Sequence, residues 1–280
     1  MKRPRNRRGW LSATISYTYL SVLAVAAVFP LLWVVLSSVK GKGELIADPT
    51  SFWPKEITFE YYRTVWDQLK FGTALTNSVG IALVTTVISL AFSALAAYGI
   101  VRFTPRFGKV VTRTMIATYM FPPILLAIPY SIILGQLKLT NSHLGLVLVY
   151  LSFSVPFAVW LLIGFFRTVP LEIEEAGYVD GAGRLAVFWR IVIPIVAPGL
   201  VAVAIYTFIN VWNEFLYSLI LINDTAKMTA SVALKSLEGQ EVLDWGTMMA
   251  ASTLVVVPSV IFFAIIQNKI AGGLAQGSVK

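Results

Sequence analysis

Long runs without a single Asp, Glu, Lys or Arg alternate with short charged segments along this chain. The uncharged runs cover 9–39, 71–101, 114–137, 143–166, 191–213 and 245–268. Each meets the ~20 residues that a helix needs to cross a bilayer. In hydrocarbon every backbone N–H and C=O must be paired within the segment, so runs of this kind are helices. The pattern predicts an all-α integral membrane protein, a single domain over 1–280 with six transmembrane helices. Their expected positions are about 15–37, 75–100, 114–136, 144–166, 199–221 and 246–266. The first run follows a basic tail, and Ala24-Val25-Ala26 mimics the small-residue site at which a secretion signal is cut. The run nevertheless continues to Val39, past the ~7–15 apolar residues of a signal. A retained first span is expected.

Composition agrees. Hydrophobic residues make up 57 % of the chain and charged residues 13 %, with a mean hydropathy of +0.77, where a soluble domain is roughly one quarter charged. There is no cysteine, so disulfides and thiolate metal sites are excluded. The single histidine, His143, rules out the usual histidine zinc sites and reads as a polar residue in a short external turn. A net charge of +8 raises the question of nucleic acid, and its distribution answers it. With the amino terminus inside, the cytoplasmic segments hold Lys2, Arg3, Arg5, Arg7, Arg8, Arg102, Arg106, Lys109, Arg113, Arg167, Arg184, Arg190, Lys269 and Lys280, fourteen of the 22 basic residues. Four acids lie inside and nine outside. Orientation follows the basic residues, so both termini are expected in the cytoplasm. The positive charge belongs to membrane topology, and no nucleic-acid partner is expected.

The most informative polar segment is the predicted cytoplasmic hairpin, 167–198. Pro170 and the acids Glu172, Glu174 and Glu175 suit a helix start. Gly181 can supply the left-handed turn that ends such a helix. Leu185, Phe188, Ile191 and Ile195 then recur at helical spacing before Pro194 and Pro198 lead into the next span. Glu175, Ala176, Gly177, Gly181, Ile191, Ile193 and Pro194 stand at the spacings of the EAA loop, with Gly177 for the second alanine and Ile193 for the usual leucine. Asp180-Gly181-Ala182 and Phe188-Trp189 resemble its carbohydrate-importer version. The chain thus resembles permease subunits of binding-protein-dependent ABC importers, most of all the second permease of the maltose type. The resemblance implies the type I permease fold. It makes 167–198 the coupling hairpin, which docks on a cytoplasmic ATPase through Glu175, Ala176, Gly177, Asp180, Gly181, Ala182, Ile191 and Pro194.

Other positions gain meaning beside this resemblance. Small residues in the second span (Ser89, Ser93, Ala94, Ala96, Ala97) permit close helix approach. Pro122, Pro123 and Pro129 break the third span; the break is either a static kink or a bend beside a water-filled path. Asn210, Asn213 and Glu214 sit late in the fifth span, and an intramembrane carboxylate is a functional candidate by default. At ~1.5 Å per residue Glu214 lies ~22 Å from Gly199, towards the outer face, so these three are candidates for the translocation path. In the first external segment, Phe52-Trp53-Pro54 reads as an interfacial aromatic turn. Phe59, Tyr62, Trp66 and Leu69 describe one apolar helix face lying along the outer surface, either receiving a partner or simply packing over helix ends. The tail 267–280 resembles the family's cytoplasmic C-terminus.

No G-x-x-x-x-G-K-[ST] loop occurs, so an ATP site of that type is absent from the chain. No nucleophile–base arrangement appears, and Glu174 and Glu175, adjacent on a helix, point apart. The resemblance implies a transport subunit, not an enzyme. It would carry a sugar, an oligosaccharide by its closest pattern, across the inner membrane by alternating access. Implied partners are a second homologous permease, two ATPase subunits that bind ATP and Mg, and an extracytoplasmic solute-binding protein. Two alternatives stay open: an ABC importer of a non-sugar solute, and an ion-coupled secondary transporter, for which only Glu214 offers a relay group.

Overall fold

The computed structural model describes residues 7–239 and 244–277; Lys2, Arg3, Arg5, Lys280 and part of the last predicted external loop lie outside the described residues. The helices, in chain order, are α1 (Arg7–Ser37), α2 (Lys42–Ala47), α3 (Glu60–Arg63, extended by a π-helical turn Thr64–Gln68), α4 (Phe71–Arg102), α5 (Pro105–Thr118) and α6 (Pro123–Gln136). There follow α7 (His143–Arg167), α8 (Leu171–Val179), α9 (Arg184–Val187), α10 (Ile193–Trp212), α11 (Leu216–Leu221), α12 (Ala230–Ser236) and α13 (Trp245–Gly277). Among the described residues the one piece of extended pairing is an isolated bridge between Lys40 and Ile57.

Among the described residues, four helices are long and apolar enough to cross a membrane: Ala13–Ser37, Phe71–Arg102, His143–Arg167 and Arg184–Trp212. The predicted third span is broken into Gly108–Thr118 and Pro123–Gln136, inclined by 99°. Two successive prolines, Pro122 and Pro123, explain so sharp a break, since each lacks an N–H and each disfavours a helical residue before it. Counted as one span, this pair makes five. The sixth predicted span falls on α13, whose segment Trp245–Ile261 is apolar but shorter. α13 runs on to Gly277, so most of what reads as a glycine-rich tail is helical. The predicted fifth span also shifts. Its helix begins at Arg184, passes through a π-helical turn at Phe188–Val192 and ends at Trp212. The wider turn precedes Pro194 and absorbs its missing donor.

By packing, the described residues of Met1–Lys70 and Leu237–Val256 form one unit, and those of Phe71–Ser236 and Val257–Lys280 another. In the first, Phe52 stacks on Phe29, 5.9 Å between centroids, and Lys40 lies over the Trp33 ring while its Nζ donates to the Ser51 carbonyl. Of the predicted apolar face of 58–69, Tyr62 and Leu69 are half-buried and Phe59 and Trp66 stand outward. Tyr61 and Val65, one i,i+4 face, are buried, whereas Phe59 and Trp66 are exposed.

In the second unit α4, α7 and α10 pack around Ala94, Ala97, Tyr98, Ala158, Leu162, Phe166 and Val203. Ser89, Ser93, Ala94 and Ala97 of α4 are all buried, as expected of small residues at a helix contact. α10 approaches α7 where Gly199 faces the Phe165 ring, and a Cβ built at Gly199 would stand 2.3 Å from that ring. Gly199→Ala should therefore cost about 1–3 kcal/mol through overpacking. Thermal unfolding of the detergent-purified protein checks this, and an unchanged midpoint would mean the ring can move aside freely.

Candidate functional site

The segment between α7 and α10 folds as a compact helical hairpin. Pro170 precedes α8 in extended conformation, and Glu172 and Glu174 fall in its first turn, where negative charge complements the helix dipole. At the other end Gly181 adopts φ +84°. The N–H of Ala182 donates to Gly177 O and that of Gly181 to Tyr178 O, both at 3.0 Å. These are the two bonds of a Schellman cap, and the left-handed residue between them is the position that favours glycine. Gly183 is extended, and α9 then turns the chain back.

The candidate residues separate into two groups. Glu175, Ala176, Asp180 and Gly181 are exposed on the tip and outer face of α8. Val179, 87 % exposed, and Leu185, 71 % exposed, add apolar surface beside them. Gly177 is buried, while Ala182 and Ile191 are half-buried on the inner side, and Pro194 is exposed at the root of α10. A Cβ at Gly177 would come within 2.6 Å of Ile191 Cδ1. That contact accounts for the glycine here: α8 lies close against the returning arm, and only the tip of a flexible side chain stands in the way.

Sequence reasoning missed the residues that anchor this hairpin. Glu174, next to the exposed Glu175, is 2 % exposed. Its Oε1 accepts from Arg102 Nε at 2.6 Å, and its Oε2 accepts from the Tyr98 hydroxyl at 2.7 Å. Arg102 Nη2 also donates to Val169 O at 2.7 Å, just before α8 begins. Tyr98 is held by Phe166 and Phe188, with ring centroids 5.8 and 4.9 Å away. The Arg184 guanidinium lies 5.6 Å from the Phe103 ring centroid. The end of α4 is thus fastened to both arms. One signal was available: Glu174 lies three residues before Gly177, on the same helical face, and Arg102 closes an uncharged run.

A second cluster surrounds Glu214. The buried Tyr150 hydroxyl donates to Glu214 Oε2 at 2.5 Å. The N–H groups of Tyr217 and Ser218 reach the same carboxylate at 2.9 and 3.2 Å. Glu214 therefore caps α11 where the long helix has stopped. It lines a cleft of about 260 Å³ with Asn210, Tyr119, Tyr130, Phe153 and Tyr217. Asn210 donates to Tyr206 O and Asn213 to Ile209 O, each at 2.8 Å. The structure brings Asn210 and Glu214 into one cleft and leaves Asn213 exposed outside its lining. His143 opens α7, its Nε2 3.0 Å from Lys227 O.

Residues 89–275 match the family described as binding-protein-dependent transport system inner membrane component. Over 270 residues the chain is 32 % identical to the diacetylchitobiose uptake system permease protein NgcG of Streptomyces coelicolor, covering 96 % of this chain and 89 % of that one. Over 261 residues it is 34 % identical to the trehalose transport system permease protein SugB of Mycobacterium tuberculosis, covering 91 % and 93 %. The fold matches a chain of a bacterial ABC transporter involved in the import of the acidic polysaccharide alginate, with TM-score 0.81, 21 % identity and 95 % and 99 % coverage.

Removing one partner of a buried ion pair leaves an uncompensated charge, at a cost of about 3–5 kcal/mol. Glu174→Ala should destabilise the protein by that amount and Glu174→Gln by less, since the amide oxygen can still accept from Arg102 while its NH2 donates to the Tyr98 oxygen. Unfolding midpoints of the two variants in detergent measure the difference.

Proposed function

Because the chain belongs to the family of binding-protein-dependent transport system inner membrane components, and is thus an integral membrane transport subunit, we propose that it forms part of the passage of an ATP-driven sugar importer. The sugar assignment is supported by NgcG and SugB, whose names specify diacetylchitobiose uptake and trehalose transport and which align along nearly the whole chain. The cargo is a small oligosaccharide. The passage is completed by a second, homologous permease, and a solute-binding protein delivers the sugar on the outer side. Two cytoplasmic ATPase subunits bind ATP and Mg²⁺. Both termini of this chain and its 167–198 hairpin lie in the cytoplasm, and the whole chain works as one permease domain with six spans.

The single observation that carries the coupling role is the hairpin's construction. An exposed tip bearing Glu175, Ala176, Asp180 and Gly181 is set by a Schellman cap and rooted in α4 by a buried ion pair. Gly177, Ala182, Ile191 and Pro194 support it from the inner side and the root. A nucleotide-driven partner can bias alternating access only by gripping the two states differently. Taking an equilibrium from 1:99 to 99:1 requires about 5.5 kcal/mol of such difference. A tip on a loose loop would dissipate that energy in its own motion, whereas this one conveys it.

The cleft at Glu214 is the section of the path that this subunit lines. Its volume of about 260 Å³ is below the ~300–1,000 Å³ of a closed ligand site, as suits one wall of a shared passage. Its aromatic rings suit the C–H faces of a sugar, and Asn210 and Glu214 offer acceptors to hydroxyls. Asn213 adds an exposed amide one turn beyond.

The test is uptake of labelled disaccharide by liposomes containing the full complex. Within this chain a Cβ at Gly181 meets no atom within 4 Å, so the local cost of Gly181→Val is that of φ +84°, about 1–2 kcal/mol for a left-handed residue and more for a β-branched one. The variant should insert and assemble normally and lose ATP-dependent uptake at least tenfold, whereas Gly181→Asn should retain more. Wild-type uptake by Gly181→Val would remove the hairpin from the mechanism.

A further inference from the structure

α4 differs from the other long helices in its backbone. Its 32 residues contain no proline, whereas α1, α7, α10 and α13 each carry one in their interior. Proline removes a rung of the ladder and lets a helix bend. Without one, 32 residues at ~1.5 Å each form a continuous element ~48 Å long. Directional polar bonds hold both of its ends. Arg102 and Tyr98 grip Glu174 at the hairpin end. At the opposite end Asn77 Nδ2 donates to Ala226 O and Met228 O, both at 3.0 Å, and Ser78 Oγ accepts the Ala230 N–H at 2.8 Å. The segment so held is bonded onward. The Thr229 and Ser218 hydroxyls are 2.8 Å apart, and Ser231 Oγ donates to Glu214 O at 2.8 Å.

The middle of α4 is held differently. The hydroxyls of Thr85, Thr86 and Ser89 are buried with no hydrogen-bond partner among the described residues, and Ser93 reaches Val155 O at only 3.3 Å. Between its ends α4 is guided by the packing of small side chains, which resists separation but sets no directional lock against sliding.

We propose that α4 is the connecting rod of the transport cycle. A displacement of the hairpin enters at Glu174 and Arg102, travels along α4, and leaves through Asn77 and Ser78 to 226–231 and the Glu214 cleft. Asn77 and Ser78 are positioning residues, touching neither the ATPase nor the solute. The inference rests on the hairpin being the site of ATPase coupling. Coupling between two sites is reciprocal in free energy, so the same rod reports events at the outer end back to the hairpin.

The experiment uses the complete complex in liposomes. Asn77→Asp keeps the size of the side chain but cannot donate to Ala226 and Met228. Its basal ATP hydrolysis should stay within twofold of wild type. Stimulation of hydrolysis by sugar-loaded binding protein, and sugar moved per ATP, should each fall at least tenfold. Ser78→Ala should shift both in the same direction and Ser78→Thr, which keeps the acceptor, should restore them. Thr85→Val, in the unlocked middle, should change neither. The chain has no cysteine, so Val179→Cys or Thr225→Cys can carry the only environment-sensitive label, both positions being exposed. On trapping the ATP-bound state both labels should respond in the wild-type background, and only the Val179→Cys label in Asn77→Asp. Coupled transport and a responding Thr225→Cys label in Asn77→Asp would overturn the rod while leaving the importer intact. A wild-type complex without ATP-driven uptake would overturn the importer reading itself.

Discussion

Arg102 and Glu174 meet where three elements converge: the end of α4, the start of α8 and, through Tyr98 and its aromatic neighbours, the returning arm at Phe188. Their side chains are 9 % and 3 % exposed. Burying two charges costs several kcal/mol per ion after relaxation, and the cost is recovered only when geometry is good and the remaining donors and acceptors are satisfied. Both conditions hold, since each carboxylate oxygen has its own donor and the guanidinium also reaches the Val169 carbonyl. An apolar contact at this place could match the stability but would tolerate slippage. The ion pair sets one register between hairpin and helix.

The remainder of the second unit follows from that fixed point. Small side chains on α4 bring α7 and α10 close, and Gly199 and Gly177 allow further close approaches, against Phe165 and Ile191. The π-helical turn at Phe188–Val192 lets the returning arm continue into the span despite Pro194. Beyond Trp212 the helix stops, and Glu214 takes over the orphan N–H groups of α11 that a continuing helix would have paired. One carboxylate thereby combines a structural cap with a place in the aromatic cleft.

Chain pattern and tertiary structure divide the account along a physical line. Charge-free runs, the basic-residue asymmetry, the proline break at 122–123 and the glycine stop at 181 are local properties, each imposed by the solvent or by φ/ψ sterics, and all can be read from the residues in order. Which face of 58–69 is buried could not, because Tyr61 and Val65 are covered by residues distant in the chain while Phe59 and Trp66 are left exposed. Nor could the break in the fifth predicted span after Trp212, where Glu214 caps the separate helix α11 while accepting from Tyr150, 64 positions earlier.

What the sequence by itself determined is that this chain lives in a membrane and bears a stapled polar hairpin, since hydrophobic length and a left-handed glycine act over a few residues at most. Only the tertiary structure decided which of two adjacent glutamates faces water. Glu174 turns inward because Arg102 and Tyr98, more than 70 residues away in the chain, are brought to meet it. Glu175, one position and about 100° further round the helix, has no such partner among the described residues and is exposed.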